Sequence, residues 1–194
     1  MDAAIGMIEV EGVAGIIVAG DAAVKSAEVD LLGWDSTVGF TTIFFSGSLS
    51  DVNAALRSGE QAAREMVEYV VAAPLTHPEP VCRQYVSVPV DRGMEVRQAA
   101  LGLIETRGYG VHVEIDDRMV KTAAVDIFNV ITVHNRVVCS LIQGDVGAVR
   151  EAVAVGRQLL AGYEHFLGSA VIPQPVPELL QAFGPRPQAA GGGV

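Results

Sequence analysis

Ala4 to Val10 is a short apolar stretch that turns polar at its end, the pattern of a strand. Val13 to Ala27 then carries Ile16, Ile17, Gly20, Ala23, Val24 and Ala27 at helical spacing. Asp21 and Lys25 stand four residues apart on that helix and can pair. Val29 to Trp34 and Thr41 to Phe45 are β-branched and aromatic, and predict two strands joined by a tight loop. Ser48 or Ser50 can cap a second helix running to about Tyr69, and Val70 to Leu75 is a last short strand. The order is β-α-β-β-α-β, the ferredoxin-like pattern, with helices on one face of an antiparallel sheet.

The pattern occurs twice. Shifted by 96 positions, Ala4 to Leu31 (AIGMIEVEGVAGIIVAGDAAVKSAEVDL) falls on Ala100 to Ile127 (ALGLIETRGYGVHVEIDDRMVKTAAVDI) without a gap. Gly6 meets Gly102, Glu9 meets Glu105, Gly12 meets Gly108, Asp21 meets Asp117 and Lys25 meets Lys121. Beyond Leu31 the shift becomes 97, so Ser46 to Gly59 falls on Gln143 to Gly156 and copy one has the shorter intervening loop. In copy two Asp145 takes the capping position and Ala170 to Ile172 the final strand. A period this long exceeds the ~20–50 residues of solenoid units and marks two copies of a small domain. The fold class is α+β, a tandem duplication of a ferredoxin-like βαββαβ domain. The first copy spans residues 3–80 and the second 99–183. The join, 81–98, is too apolar in VSVPV for a free linker and reads as an extended segment at a sheet edge. The tail, 184–194 (GPRPQAAGGGV), has the composition of a disordered end.

Composition narrows the function. Half of the residues are hydrophobic but only 6% aromatic, so the core volume comes from Ala, Val, Ile and Leu. The formal net charge is −10, and the 13 Lys and Arg form no basic run. That argues against nucleic acid and against an anionic membrane surface as partners. No basic start precedes an apolar stretch, and the longest apolar run ends at Asp21, far short of the ~20 residues of a span. A cytoplasmic protein with two reduced thiols, Cys82 and Cys139, is expected.

ALGLIETRGYG, DRMVKTAAVDI, IQGDVGAVREAVAVG and VIPQP in copy two, and their more drifted counterparts in copy one, resemble the bacterial microcompartment shell domain. The likeness covers roughly residues 4 to 177. The unpermuted order in both copies resembles the tandem shell proteins rather than the circularly permuted group. The resemblance implies a homotrimer whose six domains surround a pseudo-sixfold axis as a flat tile, joined to other shell proteins across its edges. It implies a shell enclosing enzymes, located in the cytoplasm, with small metabolites passing a central pore.

In that family the pore loop joins the second and third strands. The loop falls on Ser36, Thr37, Val38 and Gly39 in copy one and on Val133, His134, Asn135 and Arg136 in copy two. The family's loop is small and Gly/Ser-rich, and copy two departs from it. Arg136 at a pore would favour anions or polar carbonyl metabolites; otherwise it points outward or pairs with Asp35 across the seam. Some tandem shell proteins hold an iron–sulfur cluster on a loop cysteine, but Ser36 and Thr37 stand there, so no cofactor and no metal is expected. Lys25 and Lys121 match the family's tile-edge lysine. The later edge motif is altered to Pro173-Gln174-Pro175 and Thr76-His77-Pro78, which suits mixed lattices with other shell proteins.

No GxSxG, P-loop or dinucleotide fingerprint is present, and no catalytic residue is assigned. Glu9 and Glu105, repeated at a strand end, read as structural partners of the adjacent loop. The competing expectation is a small-molecule-binding regulatory protein of tandem ferredoxin-like domains, which would stop at a discrete oligomer.

Overall fold

The computed structural model describes residues 3–133 and 136–185. Copy one comprises β1 (Ala4–Glu11), α1 (Ala14–Ser26), β2 (Val29–Thr37), β3 (Phe40–Gly47), α2 (Leu49–Arg64) and β4 (Val70–Leu75). A 3₁₀ turn (Pro80–Tyr85) and a two-residue strand, β5 (Val88–Pro89), occupy the join. Copy two repeats the order with β6 (Ala100–Arg107), α3 (Gly110–Thr122), β7 (Val125–Val133), β8 (Val137–Gly144), α4 (Val146–Leu159) and β9 (Phe166–Ile172), followed by α5 (Pro177–Phe183).

The strand order is β4-β1-β3-β2-β5 in sheet one and β7-β8-β6-β9 in sheet two. In each copy the first strand lies between the third and the fourth, and every pairing is antiparallel. This is the ferredoxin-like arrangement the pattern predicts, made twice. β5 adds to the edge of sheet one opposite Gly33 and Trp34. Gly33 permits this: a Cβ there would lie 2.2 Å from the Val88 carbonyl oxygen.

Four details depart from expectation. β2 runs on through Thr37, so Ser36 and Thr37 are strand residues opposite Thr41 and Phe40, and only Val38 and Gly39 turn the chain. Both have positive φ, 37° and 93°, the primed two-residue turn that suits a twisted hairpin. The second helix stops at Arg64, not near Tyr69. Asp145 occupies its capping position without a side-chain bond, whereas Ser48 accepts from the Asp51 amide at 3.2 Å. The fourth is α5, opened by Pro177 in its first turn. Its Leu179, Leu180 and Phe183 are buried. Phe183 stacks on Trp34 of copy one at 5.2 Å between ring centres, and its carbonyl accepts from Asn129 of copy two at 2.8 Å. The short helix thereby ties the two copies together. The tail expected from 184 onward lies, from residue 186, outside the described residues.

Candidate functional site

In each copy a backbone bond ties the residue that opens the return of the second hairpin strand to the glycine that follows the copy's first strand. Gly12 N donates to Gly39 O at 3.2 Å, and Gly108 N donates to Arg136 O at 2.7 Å. Val38 is the most exposed large apolar residue in the described chain, at 81%. In the β7–β8 hairpin Arg136 is exposed, while His134 and Asn135 lie outside the described residues. Within the single chain one carboxylate oxygen of Asp35 accepts from the Ser36 amide and the Ser87 hydroxyl.

The two lysines share a local bond and differ beyond it. Lys25 pairs with Asp21 and Lys121 with Asp117, each one turn apart. Lys25 also donates to the Gln174 carbonyl of copy two, and Asp21 accepts from the Val176 amide at 3.0 Å. Lys25 therefore lies at the seam between the copies, while Lys121 is the more exposed of the two.

That seam is centred on Glu105. Its carboxylate reaches out of copy two to the start of α1, accepting from Val13 N at 2.7 Å and Ala14 N at 3.1 Å. It satisfies backbone donors that a helix start leaves unpaired. Burial raises its pKa to about 7; the two amide bonds oppose the rise and nearby Glu11 adds to it. The sequence marked Glu105 as a partner of its neighbouring loop, but the loop it holds belongs to the other copy. Glu9, its counterpart, accepts instead from Tyr69 at 3.1 Å and Thr42 at 3.2 Å.

Copy two also encloses a polar cluster that sequence reasoning missed. His112 Nδ1 lies 2.7 Å from Thr106 Oγ1, and its Nε2 lies 2.8 Å from Ser140 Oγ, which donates to Asp116 at 2.7 Å. Burial lowers the His112 pKa and raises that of Asp116. The copy-one counterparts are Val10, Ile16, Ile43 and Gly20, so the cluster substitutes for apolar packing. A serine and a histidine at this distance could pass a proton, but the imidazole is 1% exposed and out of a substrate's reach. Cys82 and Cys139 are free thiols, and burial raises the pKa of Cys139 well above the usual value. Among the described residues no three His, Cys, Asp or Glu side chains gather as a metal site. Among the described residues no helix is long and apolar enough to cross a membrane.

Residues 4–77 and 100–175 each match the BMC domain. The chain is 28% identical over 194 residues to the carboxysome assembly protein CcmO of Synechococcus elongatus, covering 96% of this chain and 70% of that protein. It is 36% identical over 80 residues to the bacterial microcompartment shell protein PduA of Salmonella typhimurium, covering 41% of this chain and 85% of PduA. The crystal structure of a microcompartment protein from Desulfitobacterium hafniense DCB shares 26% identity with a TM-score of 0.40, covering 91% of this chain and 97% of that one.

Proposed function

The chain belongs to the BMC domain family, the shell proteins of bacterial microcompartments, and on that premise we propose that three copies close into a pseudohexameric tile with a central pore. The observation that carries this reading is the duplication. One chain supplies two domains of the same strand order, where PduA aligns with one of them over most of its length. Closed cyclic symmetry is the usual outcome for such chains.

In this tile the two kinds of hairpin tip alternate around the axis. Ser36, Thr37, Val38 and Gly39 supply one kind and His134, Asn135 and Arg136 the other. A ring of Arg136 guanidinium groups would favour anionic or carbonyl-bearing metabolites. Lys121 and Lys25, one from each copy, meet neighbouring tiles of the same or another shell protein. The role is structural: the tile encloses enzymes rather than acting as one. CcmO, by its name, serves carboxysome assembly, and a shell-building role in a comparable compartment follows for this chain.

Light scattering and negative-stain microscopy of the purified protein test the reading. The expected result is three times the 20.4 kDa of one chain, with hexagonal discs or sheets. Lys121→Ala should abolish the sheets and keep the trimer. A monomer or dimer without tile-like particles refutes the reading.

A further inference from the structure

Glu9 and Glu105 hold one register position in the two copies, opposite Thr42 and Cys139, but their carboxylates are met differently. Both oxygens of Glu9 accept from hydroxyls, Oε1 from Tyr69 at 3.1 Å and Oε2 from Thr42 at 3.2 Å. The residues at those places in copy two are Phe166 and Cys139, and neither brings a hydroxyl. Glu105 Oε1 takes both amides at the start of α1. Oε2 accepts no hydrogen bond among the described residues, although Glu105 is only 1% exposed. Nor is Oε2 sealed off. Among the described residues the fully buried side-chain polar atoms without a partner belong to Asp116 and Gln143, so the little surface that Glu105 shows includes Oε2.

That surface opens on a cavity of about 390 Å³ between the two copies. Copy one lines it with Glu11, Met66 and Glu68, and copy two with Glu105, Arg107 and Phe166. Arg107 is turned to Glu11, 3.5 Å away, which offsets its charge. Carboxyl groups outnumber the guanidinium three to one around the space. Glu11 adds to the rise in the Glu105 pKa, so the field at the buried end is negative. The carboxyls do not converge as metal ligands do, while Met66 and Phe166 offer an apolar wall. Gly168, two residues beyond Phe166, holds Met66 in place: a Cβ there would lie 2.9 Å from the Met66 methyl carbon.

We infer that this cavity binds a small organic ammonium ion, whose nitrogen donates to Glu105 Oε2 in place of the hydroxyls that serve Glu9 and whose carbon chain lies against Met66 and Phe166. The ion supplies both the donor and the countercharge that Oε2 lacks. A bare metal cation would meet one carboxylate oxygen and an apolar wall, and an anion would meet the excess of carboxyls. Glu11 and Glu68 draw the cation to the mouth, and the pairing of Arg107 with Glu11 keeps the guanidinium from opposing it. The site is made within one chain, so it stands apart from how chains associate.

The test uses the full chain labelled at its methionine methyl groups, titrated at pH 8 with propylammonium chloride and followed by methyl NMR. Of the five methionines, Met66 lines the cavity, and its signal is expected to shift and saturate at one ion per chain. Propan-1-ol, which has the same carbon chain and no charge, is expected to bind at least about tenfold more weakly, the difference made by one charge-assisted hydrogen bond to a buried carboxylate. Glu105→Gln, which can still accept from the α1 amides, is expected to weaken propylammonium by about tenfold or more. The comparison with propan-1-ol needs no variant and decides the matter even if the substitution disturbs the seam. A Met66 signal that propylammonium leaves unmoved overturns the inference. So does equal binding of propan-1-ol, which would make the cavity merely apolar. Undiminished binding to Glu105→Gln, or a shift at Met7 rather than Met66, would place the ion elsewhere and overturn it as well.

Discussion

Glu105→Gln isolates the ionisation of one buried carboxyl at the seam. The amide oxygen of glutamine can still accept from Val13 and Ala14, whose amides lie 2.7 and 3.1 Å from the carboxylate, but it carries no titrating proton. The Glu105 pKa rises from 4.5 to about 7 on folding. Below about pH 4.5 both folded and unfolded chains hold the proton, and the stability that neutral Glu105 supports is fully present. Between 4.5 and 7 the unfolded chain ionises first, and the stability falls until the folded state also releases its proton. At about 1.4 kcal/mol per pH unit the total loss is about 3 kcal/mol. Urea unfolding of wild type and variant at one protein concentration, from pH 5 to 8.5, should therefore show the variant gaining on the wild type by about 2.5 kcal/mol as pH rises. Other titrating groups cancel in the difference. A difference that does not change with pH, or a variant that loses ground at high pH, would refute the reasoning. It would mean that the start of α1 holds the carboxylate ionised against burial.

Three further outcomes follow. Val38→Asn should stabilise the chain by about 1 kcal/mol in chemical denaturation, because a β-branched residue at φ 37° is replaced by one that favours the primed turn with Gly39. His112→Ala should cost about 2–4 kcal/mol by stranding Thr106 and Ser140; the joint replacement Thr106→Val, His112→Ile, Asp116→Gly and Ser140→Ile, which installs all four copy-one residues and leaves no stranded carboxyl, should recover most of that loss in the same assay. Phe183→Ala should cost about 3–5 kcal/mol and shift the emission of Trp34, the single tryptophan, to longer wavelength as α5 loosens from β2.

The strands and helices of both copies were legible because hydrophobic spacing repeats in register, and because Gly6 with Gly102 and Lys25 with Lys121 pin the alignment. What stayed hidden depends on contacts between copies. Glu105 stood out as a repeated acid, but nothing in its own neighbourhood says that it holds amides 91 and 92 residues away. Helix α5 had a readable sign in Pro177 followed by Leu179, Leu180 and Phe183, yet its seven residues are fixed by Trp34 and Asn129 rather than by propensity. The polar cluster was visible only as a mismatch, with His112 where copy one has Ile16. The length of β2 was misjudged because Ser36 and Thr37 look like loop residues, while Gly39 allows a turn tight enough to keep both in the ladder.

The closed seam has a consequence for the composition of any ring the chain enters. A single-domain tile can be mixed in any ratio, and its make-up then follows the supply of each subunit. Here copy one arrives already docked to copy two, through Glu105, Lys25 and α5, before a second molecule is met. The Val38 tip and the Arg136 tip are consequently delivered in a one-to-one ratio, whatever the expression level, and in the proposed tile their alternation would be settled by covalent order rather than by competition between subunits.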